Sequence, residues 1–189
     1  WLHLGSFAPV RVATSDAEPT PPAPYAVAEN PFSLLHRTDL VFIDAMGTGF
    51  SRMVGKGQGK DFFGTDQDIR VFGDFILRYA TVFGRWNSPK YLLGESYGTT
   101  RAAGLANALQ DRGMPLNGLV LVSSWLNSYV DFGSPPYSLE ITYQLYLPTM
   151  AATAWYHKAL PQEHASLAQL LQEVREFSLG AYQHALNQG

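Results

Sequence analysis

The 189-residue sequence contains no cysteine. A disulfide framework, a thiolate nucleophile and a cysteine-based zinc site are therefore all excluded. Charge is scarce as well: 15% of residues are charged, against about 25% in typical soluble domains. The formal net charge is only −3 and no basic run occurs, which argues against electrostatic binding of nucleic acid. No apolar stretch approaches the ~18 residues of a spanning helix, so no membrane segment is expected. No Asn-x-Ser/Thr acceptor occurs. What the chain does have is apolar and aromatic material, at 46% and 13% of residues, enough for a packed core and too much for a disordered segment. Trp1–Val10 lacks the charged start and long apolar stretch of a signal peptide, and a tryptophan start suggests an excised or processed piece.

Glu18 to Pro31 carries five prolines and reads as an extended surface connection. Leu40-Val41-Phe42-Ile43 is a continuous apolar run ended by Asp44 and the Gly47-Thr48-Gly49 turn, as expected of a buried strand in a parallel sheet. After the glycine-rich stretch 55–64, Thr65-Asp66-Gln67-Asp68 resembles a capping box with Thr65 as N-cap. Ile69, Phe72, Ile76, Ala80 and Phe83 then follow at helical spacing, with Gly84 as the stop. A second buried strand, Tyr91-Leu92-Leu93, is expected to run into Gly94. A helix from about Tyr97 to Gln110, rich in alanine and ended by Gly113, comes next. Gly118–Val122 reads as a third buried strand. Strands alternating with helices define an α/β fold with a parallel sheet.

From Pro135 onward the sequence is helical and aromatic-rich, with Pro148 and Pro161 expected to divide it into roughly three pieces. Leu167, Leu170, Leu171 and Val174 form the stripe of an amphipathic helix. The expected organisation is an α/β part over residues 1–133 and a helical region over 134–189.

Gly94-Glu95-Ser96-Tyr97-Gly98 fits the G-x-S-x-G nucleophile elbow. Strand before and helix after would put Ser96 on a sharp turn, with glycines two residues to either side avoiding a clash. The hydroxyl would then stand at a helix N-terminus, where the Tyr97 backbone amide can stabilise an oxyanion. The plainer alternative is an N-cap serine whose glycines only permit tight packing.

These residues resemble a known family. Asp39–Asp44 with Gly47-Thr48-Gly49-Phe50-Ser51, then Gly94–Arg101, are similar to the serine carboxypeptidase family of α/β-hydrolases, in its cysteine-free bacterial-type form. Gly84–Lys90 and Leu147–His157 extend the resemblance over nearly the whole chain, in consistent order. Ala45-Met46 departs from the Gln-Pro or similar pair common before the glycines. The resemblance implies a partial α/β-hydrolase core, a parallel sheet with flanking helices, carrying a helical insertion or cap. It implies Ser96 as the acylated nucleophile, the Tyr97 amide as half of the oxyanion hole, and Glu95 as the glutamate that hydrogen-bonds the free carboxylate of a peptide substrate. Two facing carboxyl groups hold together only with a shared proton, so binding should be favoured at acid pH. Otherwise Glu95 is a solvated or structural glutamate. The resemblance implies no metal and no other cofactor, and a secreted, periplasmic or otherwise acidic setting.

A hydrolase triad runs Ser, then Asp or Glu, then His. Asp111 or Asp131 followed by His157, His164 or His184 satisfies the order only formally. Asp111 ends the helix that begins at the nucleophile, Asp131 follows the first strand after it, and the histidines fall in the strand-free region. The resemblance implies that the triad Asp and His, and an Asn-Gly-Gly-Pro-Gly segment with the second oxyanion amide, belong to the remainder of the enzyme, so this chain alone should not turn over substrate.

Other readings are weaker. Gly47-x-Gly49 lacks the third glycine of a dinucleotide fingerprint, and Gly55-Lys56 and Gly59-Lys60 lack the rest of a phosphate loop. Tyr137, Tyr143, Tyr146 and Tyr156 would line a pocket or pack the helical lobe. The rivals to a carboxypeptidase are an esterase, an aminopeptidase or a carboxypeptidase-like acyltransferase, and a non-catalytic interaction protein that keeps the elbow as a relic.

Overall fold

The computed structural model describes residues 1–15, 18–127, 140–161 and 166–188. They form a mixed α/β structure divided into two compact units, Trp1–Ser124 and Trp125–Gly189. The expected boundary at 133/134 falls outside the described residues.

The first unit opens with a π-helical turn, Leu2–Phe7, and an antiparallel pair, β1 (Val10–Val12) with β2 (Val27–Glu29). The Val10/Glu29 end of this pair is held by the buried Asn30, whose Nδ2 donates to the carbonyls of Ser6 (2.7 Å) and Ala8 (2.8 Å). The central layer is the parallel pair β3 (Tyr91–Glu95) and β4 (Gly118–Val122), in register from Tyr91↔Gly118 to Glu95↔Val122. Asn117 locks its start, donating from its amide to the Lys90 carbonyl (2.7 Å) and accepting the Lys90 amide on Oδ1 (2.8 Å). Helix α1 (Thr65–Val82) packs on α2 (Tyr97–Asp111), which packs on both strands.

The core lies between these elements. Phe72, Ala80, Leu105, Leu109 and Met114 are buried together, with Ile43, Ile69, Ile76 and Leu92 against them. The small residues of α2 serve helix contact as well as sheet contact, since Ile69 of α1 packs directly over Gly104. α2 ends in a Schellman arrangement: the Gly113 amide donates to the Gln110 carbonyl (3.0 Å) and the Met114 amide to the Leu109 carbonyl (2.8 Å). Gly113 takes φ 78°, where a Cβ is disfavoured. Leu109, fully buried at this junction, is expected to cost about 2–5 kcal/mol when cut to alanine, read as a lower unfolding midpoint in urea.

Three local expectations are corrected here. Leu40–Ile43 is not a strand: it has no ladder partner among the described residues, Val41 and Phe42 are exposed, and only Ile43 reaches the core. Tyr91–Leu93 and Gly118–Val122 lie in strands but not buried ones, with Tyr91 65% and Val120 46% exposed. Thr65 is the first helical residue and Gly64 the N-cap: the Asp68 amide donates to the Gly64 carbonyl (2.9 Å), so the expected capping box does not form, and the Asp68 carboxylate grips Arg101.

The regular elements among the second unit's described residues are all helical. It comprises α3 (Ile141–Tyr156), α4 (Leu167–Phe177), a π-turn Ser178–Tyr182 and the short α5 (Gln183–Leu186). α4 is the expected amphipathic helix, with Leu170 buried and the Ser166 hydroxyl capping the Gln169 amide. Pro148 does not divide the chain as expected but lies inside α3. Proline cannot donate to the carbonyl four residues back. That carbonyl, on Gln144, accepts instead from the buried Ser178 hydroxyl at 2.8 Å, so the helix continues without an orphaned acceptor.

Candidate functional site

The strand-to-helix corner forms where β3 meets α2. Ser96 is its single connecting residue, the N-cap of α2, with φ 55° and ψ −122°. A non-glycine residue in that region is strained, and such residues persist where surrounding structure over-determines them. Two attachments do so here. The Ser96 amide donates to the Val122 carbonyl of β4 (3.0 Å), and the Ser96 carbonyl accepts from the Thr99 amide (2.9 Å) and the buried Thr99 hydroxyl (2.7 Å). The side chain of Ser96 is exposed and makes no capping hydrogen bond. Position makes it the N-cap, as the plainer alternative has it, but its hydroxyl is not spent on the helix amides.

The two glycines of the motif behave differently. Gly94 is buried, and an added Cβ there would overlap the Gly98 carbonyl group and come within 2.9 Å of the Thr99 nitrogen. Nothing lies within 4 Å of a Cβ built on Gly98, so the expectation that both glycines avoid a clash holds for the first and is corrected for the second. β3 and α2 cross tightly on the Gly94 side only.

Glu95, half-buried, is the last residue of β3 and pairs in register with Val122; Tyr97, also half-buried, is the first residue of α2. All three expected site residues thus lie consecutively at the carboxyl end of the parallel pair, where open α/β sheets bind ligands. Ser123 follows Val122 at the same end and also takes a positive φ, 52°. The register therefore sets a second strained serine beside Ser96. Sequence reading missed Ser123, although a Ser123-Ser124 pair ending an apolar strand was the available signal.

The formal triad partners are not brought to this corner within the first unit. Asp111 ends α2, about 21 Å along the helix axis from Tyr97 at 1.5 Å per residue, and accepts from Asn107. His157 caps the end of α3 with its ring edge-on to Tyr156, and His184 pairs with Gln188. Asp131, His164 and Tyr137 lie outside the described residues. Tyr143, Tyr146 and Tyr156 are exposed, Tyr156 most of all, while the buried residues of α3 are Thr142 and Gln144. Among the described residues no group of three His, Asp or Glu could hold a metal ion, and no helix is long and apolar enough to cross a membrane.

Around the corner, Arg101 of α2 donates to both oxygens of Asp68 on α1, from Nε at 2.6 Å and Nη2 at 3.0 Å. Its guanidinium also lies over the rings of Phe72 (4.2 Å) and Tyr97 (5.2 Å). The signal in the sequence was its isolation, since Arg101 is the one charged residue from Tyr97 to Gln110.

Comparison with models of protein families, with curated proteins and with solved structures finds no match to this chain.

Proposed function

We propose that this chain carries the nucleophile of a serine-type carboxypeptidase with an α/β-hydrolase core. The observation that supports it most is the exposed Ser96 hydroxyl, uncommitted to capping, on a strained corner between a parallel strand and its following helix. In the proposed reaction the Ser96 oxygen attacks the last peptide carbonyl of the substrate. The Tyr97 amide and a second donor from the remainder of the enzyme hold the resulting oxyanion. The serine proton passes to a histidine base, supplied with its aspartate from that remainder, and from there to the departing amino acid. Water then hydrolyses the acyl-enzyme. Glu95 shares a proton with the substrate's terminal carboxylate, which selects peptides with a free C-terminus.

A peptide and its C-terminal amide, offered to the intact enzyme, test this reading. The amide is expected to be cleaved about 10²-fold more slowly or worse, because it cannot form the shared-proton carboxyl pair with Glu95 for which the site is built. Equal rates would defeat the carboxypeptidase reading and leave a general acyl-transfer hydrolase. In the same assay Glu95→Gln should flatten the rise of KM with pH for free-acid peptides, since an amide has no proton to lose. An unchanged KM profile removes Glu95 from that role.

A further inference from the structure

Arg101 does more than join two helices. Its side chain and that of Asp68 are only 22% and 13% exposed, and the guanidinium is held at its edge by both carboxylate oxygens. Its flat face is occupied by aromatic rings, Phe72 from α1 and Tyr97 from one turn back on α2. A planar fork gripped at its edge and stacked on its face has one orientation, which lysine cannot reproduce. The Tyr97 ring is therefore set from α1, through the Asp68–Arg101 pair. Tyr97 is also the residue whose amide directly follows Ser96.

We infer that Arg101 and Asp68 are positioning residues that fix the first turn of α2, and with it the direction of the Tyr97 amide toward the oxyanion. The inference rests on the acyl-transfer reading of Ser96. The helices are tied a second time at the far end of α2, where Arg112 Nη2 meets Asp74 Oδ1 at 2.8 Å in an exposed pair. That second tie supplies a control, because it docks the same two helices without touching the corner.

The test compares Asp68→Asn, Arg101→Lys and Asp74→Asn in the intact enzyme. It reads kcat and KM on a free-acid peptide, with the rate at which a fluorophosphonate captures Ser96 per titrated site. Asp68→Asn and Arg101→Lys are expected to lower kcat about 10- to 100-fold, with KM within about twofold, because the amide's aim matters in the transition state. Fluorophosphonate capture should slow alongside, and Asp74→Asn should change neither. Asp68→Asn, nearly isosteric, carries the test if Arg101→Lys fails to fold. Losses no larger than those of Asp74→Asn, or a smaller number of reactive sites each working at the wild-type rate, would overturn the inference while leaving the function intact. A wild-type enzyme that fluorophosphonate does not label at Ser96 would overturn both.

Discussion

Gly94→Ala is expected to destabilise the protein by about 3–5 kcal/mol, well above the ordinary cost of a single substitution. The new methyl group would overlap the Gly98 carbonyl and press on the Thr99 amide, and both are backbone. A side chain can rotate away from a clash; a first helical turn cannot, unless β3 and α2 part. The matched control is Gly98→Ala, where the added carbon meets open space. Alanine is the better helix former by about 0.8–1 kcal/mol, so this variant should unfold at or slightly above the wild-type midpoint. Urea unfolding of the two variants reads the difference directly. Equal losses would mean that the corner is not built on close approach at Gly94.

The second large effect separates chemistry from stability. In the intact enzyme Ser96→Ala should lower kcat by on the order of 10⁶-fold, the scale seen when an acyl-transfer serine is removed from its unit. Ser96→Gly should do the same while raising stability by as much as about 1 kcal/mol, because glycine adopts φ 55° without strain. A strained residue whose relief strengthens the fold and ends the reaction is one kept for its chemistry. A serine held only as a helix cap predicts the reverse: replacement by alanine would weaken the fold and leave any activity in place.

What could be read from the sequence divides along a physical line. β3, α2 with its Gly113 termination, and α4 with its Leu170 stripe depend on local rules of periodicity, turn conformation and capping, and they stand close to where the residues put them. The corner at Ser96 was legible for the same reason, since strand, elbow and helix are contiguous. The misreadings of where elements begin, end and pair involve a partner far along the chain. Thr65 looked like a cap because Asp68 was free to complete the box, but Arg101, 33 residues on, takes that carboxylate. Pro148 looked like a break because its missing donor orphans a carbonyl, but Ser178, 34 residues from Gln144, supplies one. Leu40–Ile43 has a strand's composition, yet pairing is decided by a neighbouring backbone that composition does not specify. Ser123 was missed because its place beside Ser96 follows from the β3–β4 register, which the Ser123-Ser124 pair does not itself specify.

The most direct measurement is covalent. The intact enzyme is treated with a fluorophosphonate, digested, and the modified peptide located by mass spectrometry. The account predicts one adduct, on Ser96, absent from Ser96→Ala. No adduct, or one on a different residue with Ser96 untouched, would contradict it.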